Sequence, residues 1–70
     1  MPELITFRGR PVKRRVRVAG GLRLILVSAI PGRVGEQLNV SEADWREHGH
    51  IEFFTRENLP DVRALAARTS

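Results

Sequence analysis

A chain of 70 residues supports one domain at most, here 1–70, and the small surface that it can bury leaves its stability modest. It has no cysteine, which excludes a disulfide framework and a thiolate zinc site as extra support. The net charge of +4 is unevenly distributed: residues 1–18 hold six Lys or Arg and one acid, whereas residues 36–61 hold seven acids and two arginines. This asymmetry suits head-to-tail self-association or attraction to a polyanion.

The first predicted strand is the short apolar run Leu4 to Phe7, which ends at the turn signal Arg8-Gly9-Arg10-Pro11. The segment before it, Met1-Pro2-Glu3, carries an acid where a secretory signal has basic residues. We therefore expect no signal peptide and a location in the cytoplasm.

Two alternating sets of residues form the second predicted strand. The apolar set is Val12, Val16 and Val18, and the cationic set is Lys13, Arg15 and Arg17. Because side chains alternate across a strand, this spacing predicts three cations on one face. Arg14 falls among the valines, which indicates an edge strand, a β-bulge or a position at the rim of the sheet.

The glycine pair Gly20-Gly21 is a two-residue turn signal before the longest apolar segment, Leu22 to Ile30. This segment is apolar on both parities except at Arg23 and Ser28, which predicts an interior strand. It is too short to span a bilayer, which takes about 20 apolar residues, so we expect no membrane partner. Pro31-Gly32 is the predicted end of the strand.

A short strand over Gln37 to Val40 is predicted to lead into a helix, Glu42 to His48. Ser41 has the character of its N-cap, since acids follow in the first turn. Val40 and Trp45 have the spacing of a hydrophobic staple, so the predicted helix anchor consists of Val40, Ser41 and Trp45. Gly49 suits the left-handed residue that follows many helices.

The last predicted strand is Ile51 to Thr55, with Ile51 and Phe53 on one face. A terminal helix follows, with Pro60 in its first turn and an apolar stripe at Val62, Leu65 and Ala66. The whole pattern predicts a mainly β (β-rich α+β) fold. We expect a small barrel or sandwich-like antiparallel sheet with one short helix between strands and a C-terminal helix.

The inventory of catalytic side chains is poor, so we expect no enzymatic activity and no catalytic residue. His48 and His50 flank a glycine, and the chain has neither cysteine nor tyrosine to complete a familiar nucleophilic or acid–base set. With Asp44 or Glu52 the histidines form no recognised metal-ligand spacing. The glycines do not form a phosphate-binding loop either. We therefore expect no metal and no cofactor.

The basic segment is the candidate contact surface. Its residues are Arg8, Arg10, Lys13, Arg14, Arg15 and Arg17. Cations on a β-ribbon can neutralise the phosphates of DNA or RNA or contact an acidic protein partner. The alternative interpretation is an edge strand that charge protects from pairing with other sheets.

Residues 35–51 carry the string Gly35-Glu36-Gln37-Leu38-Asn39-Val40-Ser41-Glu42-Ala43-Asp44, then Trp45, Gly49 and Ile51. This string resembles the "G-E-x-hydrophobic-x-V-S-E-x-D" segment of small tailed-phage proteins, some encoded among head and tail genes. The resemblance implies a structural or accessory role in a virion, through contacts with other subunits or with further copies. The alternatives are a basic nucleic-acid-binding regulator and an inhibitor of a host enzyme.

Overall fold

The computed structural model describes residues 2–69, and Met1 and Ser70 lie outside the described residues. Met1 is the first residue of the segment that we expect to lack a secretory signal. The described elements are β1 (Glu3–Phe7), β2 (Arg10–Val18), β3 (Gly21–Leu26), β4 (Gln37–Ser41), α1 (Glu42–His48), β5 (Gly49–Phe53) and α2 (Val62–Thr69). The predicted fold class, mainly β with one helix between strands and one at the C-terminus, is confirmed. No helix within residues 2–69 is long and apolar enough to cross a membrane.

The five described strands form one antiparallel sheet in the order β4-β3-β2-β1-β5. The first four strands follow one another as a meander. The chain then passes through α1 from one edge of the sheet to the other, where β5 pairs with β1. Strand β2 is consequently the middle strand, which excludes the edge-strand explanation for Arg14, and β4 and β5 are the two edges.

A β-bulge in β2 overturns the predicted alternation. Val12 pairs with Leu26, but Arg14 already pairs with Ile25, so Lys13 is an extra residue in β2. Residues directly opposite in a sheet share a face, and one inserted residue reverses the parity of all that follow. Val12 therefore lies on one face of the sheet, and Val16 and Val18 lie on the other.

The core lies on the face of the sheet that bears Val12, called here the core face. Its buried side chains are Phe7, Val12, Leu22, Leu24 and Leu26. Leu24 has no exposed surface because the neighbouring strands and the partly buried side chains of Ile5, Leu38, Val40 and Trp45 surround this cluster. Helix α1 supplies Trp45 and thus covers the core face.

Helix α1 begins and ends at the predicted residues. Ser41 Oγ accepts a hydrogen bond from the Asp44 N–H at 3.1 Å and caps the helix. Gly49 is not left-handed as predicted, since its φ is −79° and its N–H donates to the Trp45 carbonyl. Glycine is required at this position because there is no space for a side chain: a Cβ would lie 2.5 Å from Trp45 O and 2.6 Å from the indole ring.

Helix α2 packs against β2 and buries Ala66, which confirms the predicted apolar stripe. The start of this helix differs from the prediction, because Asp61 provides the cap and the helix begins at Val62. Asp61 Oδ1 accepts hydrogen bonds from the N–H groups of Arg63 and Ala64. Pro60 therefore precedes the cap and is not in the first turn of the helix.

Three other boundaries of turns and strands differ from the predicted ones. The second turn is Ala19-Gly20, where Gly20 has a φ of +80°, and Gly21 already pairs with Val18. Strand β3 ends at Leu26, well before Pro31, because Ser28 Oγ accepts from the Ile30 N–H and forms a local turn. Strand β5 is shifted toward the N-terminus and ends at Phe53.

Candidate functional site

Four of the six predicted contact cations bind groups of the same chain. Arg10 Nη1 lies 3.2 Å from Glu36 Oε2, and Arg17 Nη1 lies 2.5 Å from Glu42 Oε1. The guanidinium of Arg8 lies 5.7 Å from the Phe7 ring centroid.

Arg15 is the fourth, with its guanidinium 5.3 Å from the Trp45 ring centroid. The attraction between a cation and an aromatic face stabilises the position of each guanidinium over its ring. Lys13 and Arg14 form no ion pair with any residue in the described range 2–69.

The bulge also divides the cations between the two faces of the sheet. Arg15 pairs with Leu24 and Arg17 with Leu22, so both belong to the core face. Arg14 pairs with Ile25 on the opposite face. The predicted grouping of Val12 with Val16 and Val18 is therefore wrong, because Val12 shares the core face with Arg15 and Arg17.

Phe7, on β1, is in contact with two ring side chains of α1. The rings of Phe7 and Trp45 are stacked, with centroids 6.3 Å apart and planes at 10°. The His48 ring meets Phe7 edge-on at 6.0 Å and 85°. Half-buried His48 thus has a packing role, and exposed His50 has its Nε2 2.7 Å from Glu52 Oε1. The described residues contain no group of three or more His, Asp or Glu side chains placed to hold a metal.

The free edge of β5 combines unpaired backbone groups with exposed apolar side chains. Hydrogen bonds from Arg8 N to His48 O, at 3.1 Å, and from Phe54 N to Pro2 O, at 2.9 Å, show which residues face β1. Because N–H and C=O groups alternate in direction along an antiparallel strand, Gly49, Ile51 and Phe53 direct theirs away from the sheet. Ile51 is 37% exposed and Phe53 is 65% exposed.

The other edge, β4, has a different character. The hydrogen bond from Leu26 N to Glu36 O, at 2.9 Å, continues the register in which even-numbered residues of β4 face β3. The outward residues are Gln37, Asn39 and Ser41, all polar and exposed. Of the two edges, β5 alone offers large apolar side chains beside its free backbone groups. It also lacks lysine and proline, which commonly protect sheet edges.

A second apolar surface lies in the loop after β3, where Ile30 and Val34 are exposed. A cavity of about 180 Å³ beside it is lined by Pro11, Val27 and Ala66, among others. Its charged lining groups, Arg10 and Glu36, are paired with each other. It therefore has no unpaired charge with which to select an ionic ligand.

Comparison with known proteins gives no relative: no family model, no curated protein and no solved structure matches this chain. The geometry of the chain's own residues therefore carries the functional argument. Sequence reasoning named the basic segment but missed the β5 edge, although the alternation of Ile51 and Phe53 was visible. What it lacked was the strand order that places β5 at the edge of the sheet.

Proposed function

We propose that this protein is a non-enzymatic assembly module that binds another protein chain along the free edge of β5. The observation that carries the proposal is the coincidence of exposed Phe53 and Ile51 with outward N–H and C=O groups on the same strand. An extended strand added to such an edge gains main-chain hydrogen bonds and covers alternate side chains. The resemblance of residues 35–51 to tailed-phage proteins supports a structural or accessory role in a virion.

The energetics favour an apolar contact at this edge. Full burial of a phenylalanine side chain stabilises by about 1.5–3 kcal/mol, and Phe53 still has most of its surface available for a partner. The six cations of the basic segment are less available, because four of them already contact other groups of the same chain. A protein partner at β5 is therefore better supported than a polyanion on β2.

Photocrosslinking in the protein's native source tests this function. Phe53 is replaced by a photoreactive phenylalanine analogue in one variant and Val34 in a matched control, because Val34 is 81% exposed but lies in a loop away from β5. We expect a covalent adduct at position 53, with another protein or another copy, and none at position 34. No adduct at position 53, or equal adducts at both positions, would contradict the proposal.

Nucleic-acid binding is the second candidate, and the cations favouring it are Lys13 and Arg14, which form no ion pair within residues 2–69. If they neutralise phosphates, the affinity should fall steeply with salt. The double variant Lys13→Glu with Arg14→Glu should then abolish binding, measured by fluorescence anisotropy at low salt. A wild-type protein with no DNA or RNA affinity at low salt would eliminate this function.

A further inference from the structure

The edge of β5 fits a second copy of itself in one particular register. We infer that two copies pair antiparallel through β5 about a two-fold axis at Ile51, joining the two sheets into one. The inference rests on the proposed function, because it names the occupant of the same edge. The contact is isologous, so the same residues serve on both sides and the assembly closes as a dimer.

The backbone groups match in this register. The outward N–H and C=O of Ile51 meet the C=O and N–H of the partner's Ile51, and the outward N–H of Phe53 meets the C=O of the partner's Gly49. The N–H of Gly49 is already donated to the Trp45 carbonyl within the chain. No backbone donor on this edge is therefore left without an acceptor, although Gly49 provides only its carbonyl.

The side chains on the core face also match. Phe53 lies across from the partner's Gly49, where the indole of the partner's Trp45 occupies the space of the missing side chain and offers the Phe53 ring an apolar neighbour. Ile51 lies across from the partner's Ile51, so the pair forms an apolar contact at the axis. The exposed surface of both residues is covered in the same step.

The polar side chains on the opposite face also favour this register over its neighbours. His50 lies across from the partner's Glu52, and within the chain these two groups are already only 2.7 Å apart. Moving the axis to His50 would place that imidazole across from its own copy with no carboxylate opposite it, and moving the axis to Glu52 would place two carboxylates directly opposite each other. Directly opposed like charges destabilise a strand pair.

The charges that suggested head-to-tail assembly are partly satisfied inside the chain. Arg10 pairs with Glu36 and Arg17 pairs with Glu42, each joining the basic segment to the acidic one. These pairs compete with the contacts that the same groups would make with a second copy. An apolar pairing at β5 should also depend less on salt than a contact between opposite charges, since screening acts on charges.

Cysteine crosslinking tests both the partner and the register, because the natural chain has no cysteine of its own. In the inferred dimer the two copies of residue 51 face each other with Cα atoms about 5.5 Å apart, within the roughly 4.4–6.8 Å range of disulfides. The two copies of residue 53 are offset by four residues along the strands, about 13 Å. Ile51→Cys should therefore form a disulfide dimer under mild oxidation, and Phe53→Cys should not.

The control is stringent, since Phe53 is more exposed than Ile51 and random collision would favour its crosslinking. Sedimentation equilibrium of the unmodified protein should show a monomer–dimer equilibrium that changes little with salt. Crosslinking of Phe53→Cys in preference to Ile51→Cys, or a monomer at every concentration, would overturn the inference. A photoadduct at position 53 with a different protein, together with a monomer in sedimentation, would leave the proposed function intact and reject only the self-pairing.

Discussion

The rings of Trp45 and Phe7 stack 6.3 Å apart and thereby attach the seven-residue helix α1 to the sheet. A helix of two turns has little stability of its own, so this contact maintains its position. Helix α1 in turn carries the chain from the β4 edge to the β5 edge. The placement of the candidate binding edge therefore depends on this aromatic pair.

We expect Trp45→Ala to destabilise the protein severely. Truncation of a buried tryptophan costs about 3–5 kcal/mol, and the half-buried state of Trp45 reduces this to about 2–3 kcal/mol. Urea unfolding measures the change, with Arg46→Ala, an exposed residue of the same helix, as the control. An unchanged midpoint in Trp45→Ala would show that the indole is a contact residue rather than the helix anchor.

Gly49→Ala should lower the free energy of unfolding by about 1–3 kcal/mol, because the added methyl group overpacks against Trp45. The φ of −79° allows any residue, so backbone strain is not the cause. Two of the three atoms that the new Cβ would meet belong to the indole ring. The cost should therefore shrink in a Trp45→Ala background, and an equal cost in both backgrounds would refute this explanation.

Ser41→Ala should lower the free energy of unfolding by about 1 kcal/mol, because the Asp44 N–H loses its acceptor. Ser41→Asp is the matched variant, since its carboxylate can accept the same hydrogen bond at the positive end of the helix. Thermal unfolding of the two variants should separate them. If Ser41→Asp were as unstable as Ser41→Ala, the hydroxyl would have a role other than capping.

The Arg17–Glu42 ion pair should contribute less than about 1 kcal/mol, since both side chains are largely exposed and salt screens such pairs. A double-mutant cycle with Arg17→Ala and Glu42→Ala measures the coupling energy directly. We expect the coupling to decline further in high salt. A coupling of several kcal/mol would show that the pair is less solvated than its exposure indicates.

Local patterns gave correct positions for most elements. The spacing around Ser41 and Trp45 predicted α1 residue for residue, and the strand predicted over Gln37 to Val40 matches β4 to within one residue. These features depend on neighbours in the chain, which the sequence displays. The Arg8-Gly9 turn is similar, since both residues have positive φ there.

What escaped prediction depends on contacts between distant segments. The bulge at Lys13 is defined only by the register between β2 and β3, and it decides which face Arg15 and Arg17 occupy. The Arg10–Glu36 pair joins residues 26 positions apart. The status of β5 as an edge follows from the strand order, which no local pattern specifies.

The most direct test of pairing between two copies through β5 is amide hydrogen exchange, resolved by residue with NMR, in dilute and concentrated protein. The N–H groups of Ile51 and Phe53 point away from the sheet, as do those of Gln37 and Asn39 on the β4 edge. We expect Ile51 and Phe53 to gain protection as the concentration rises, because two copies then pair through β5, and we expect no gain at Gln37 and Asn39. Unchanged exchange at Ile51 and Phe53, or new protection confined to the β4 edge, would contradict the pairing of two copies through β5.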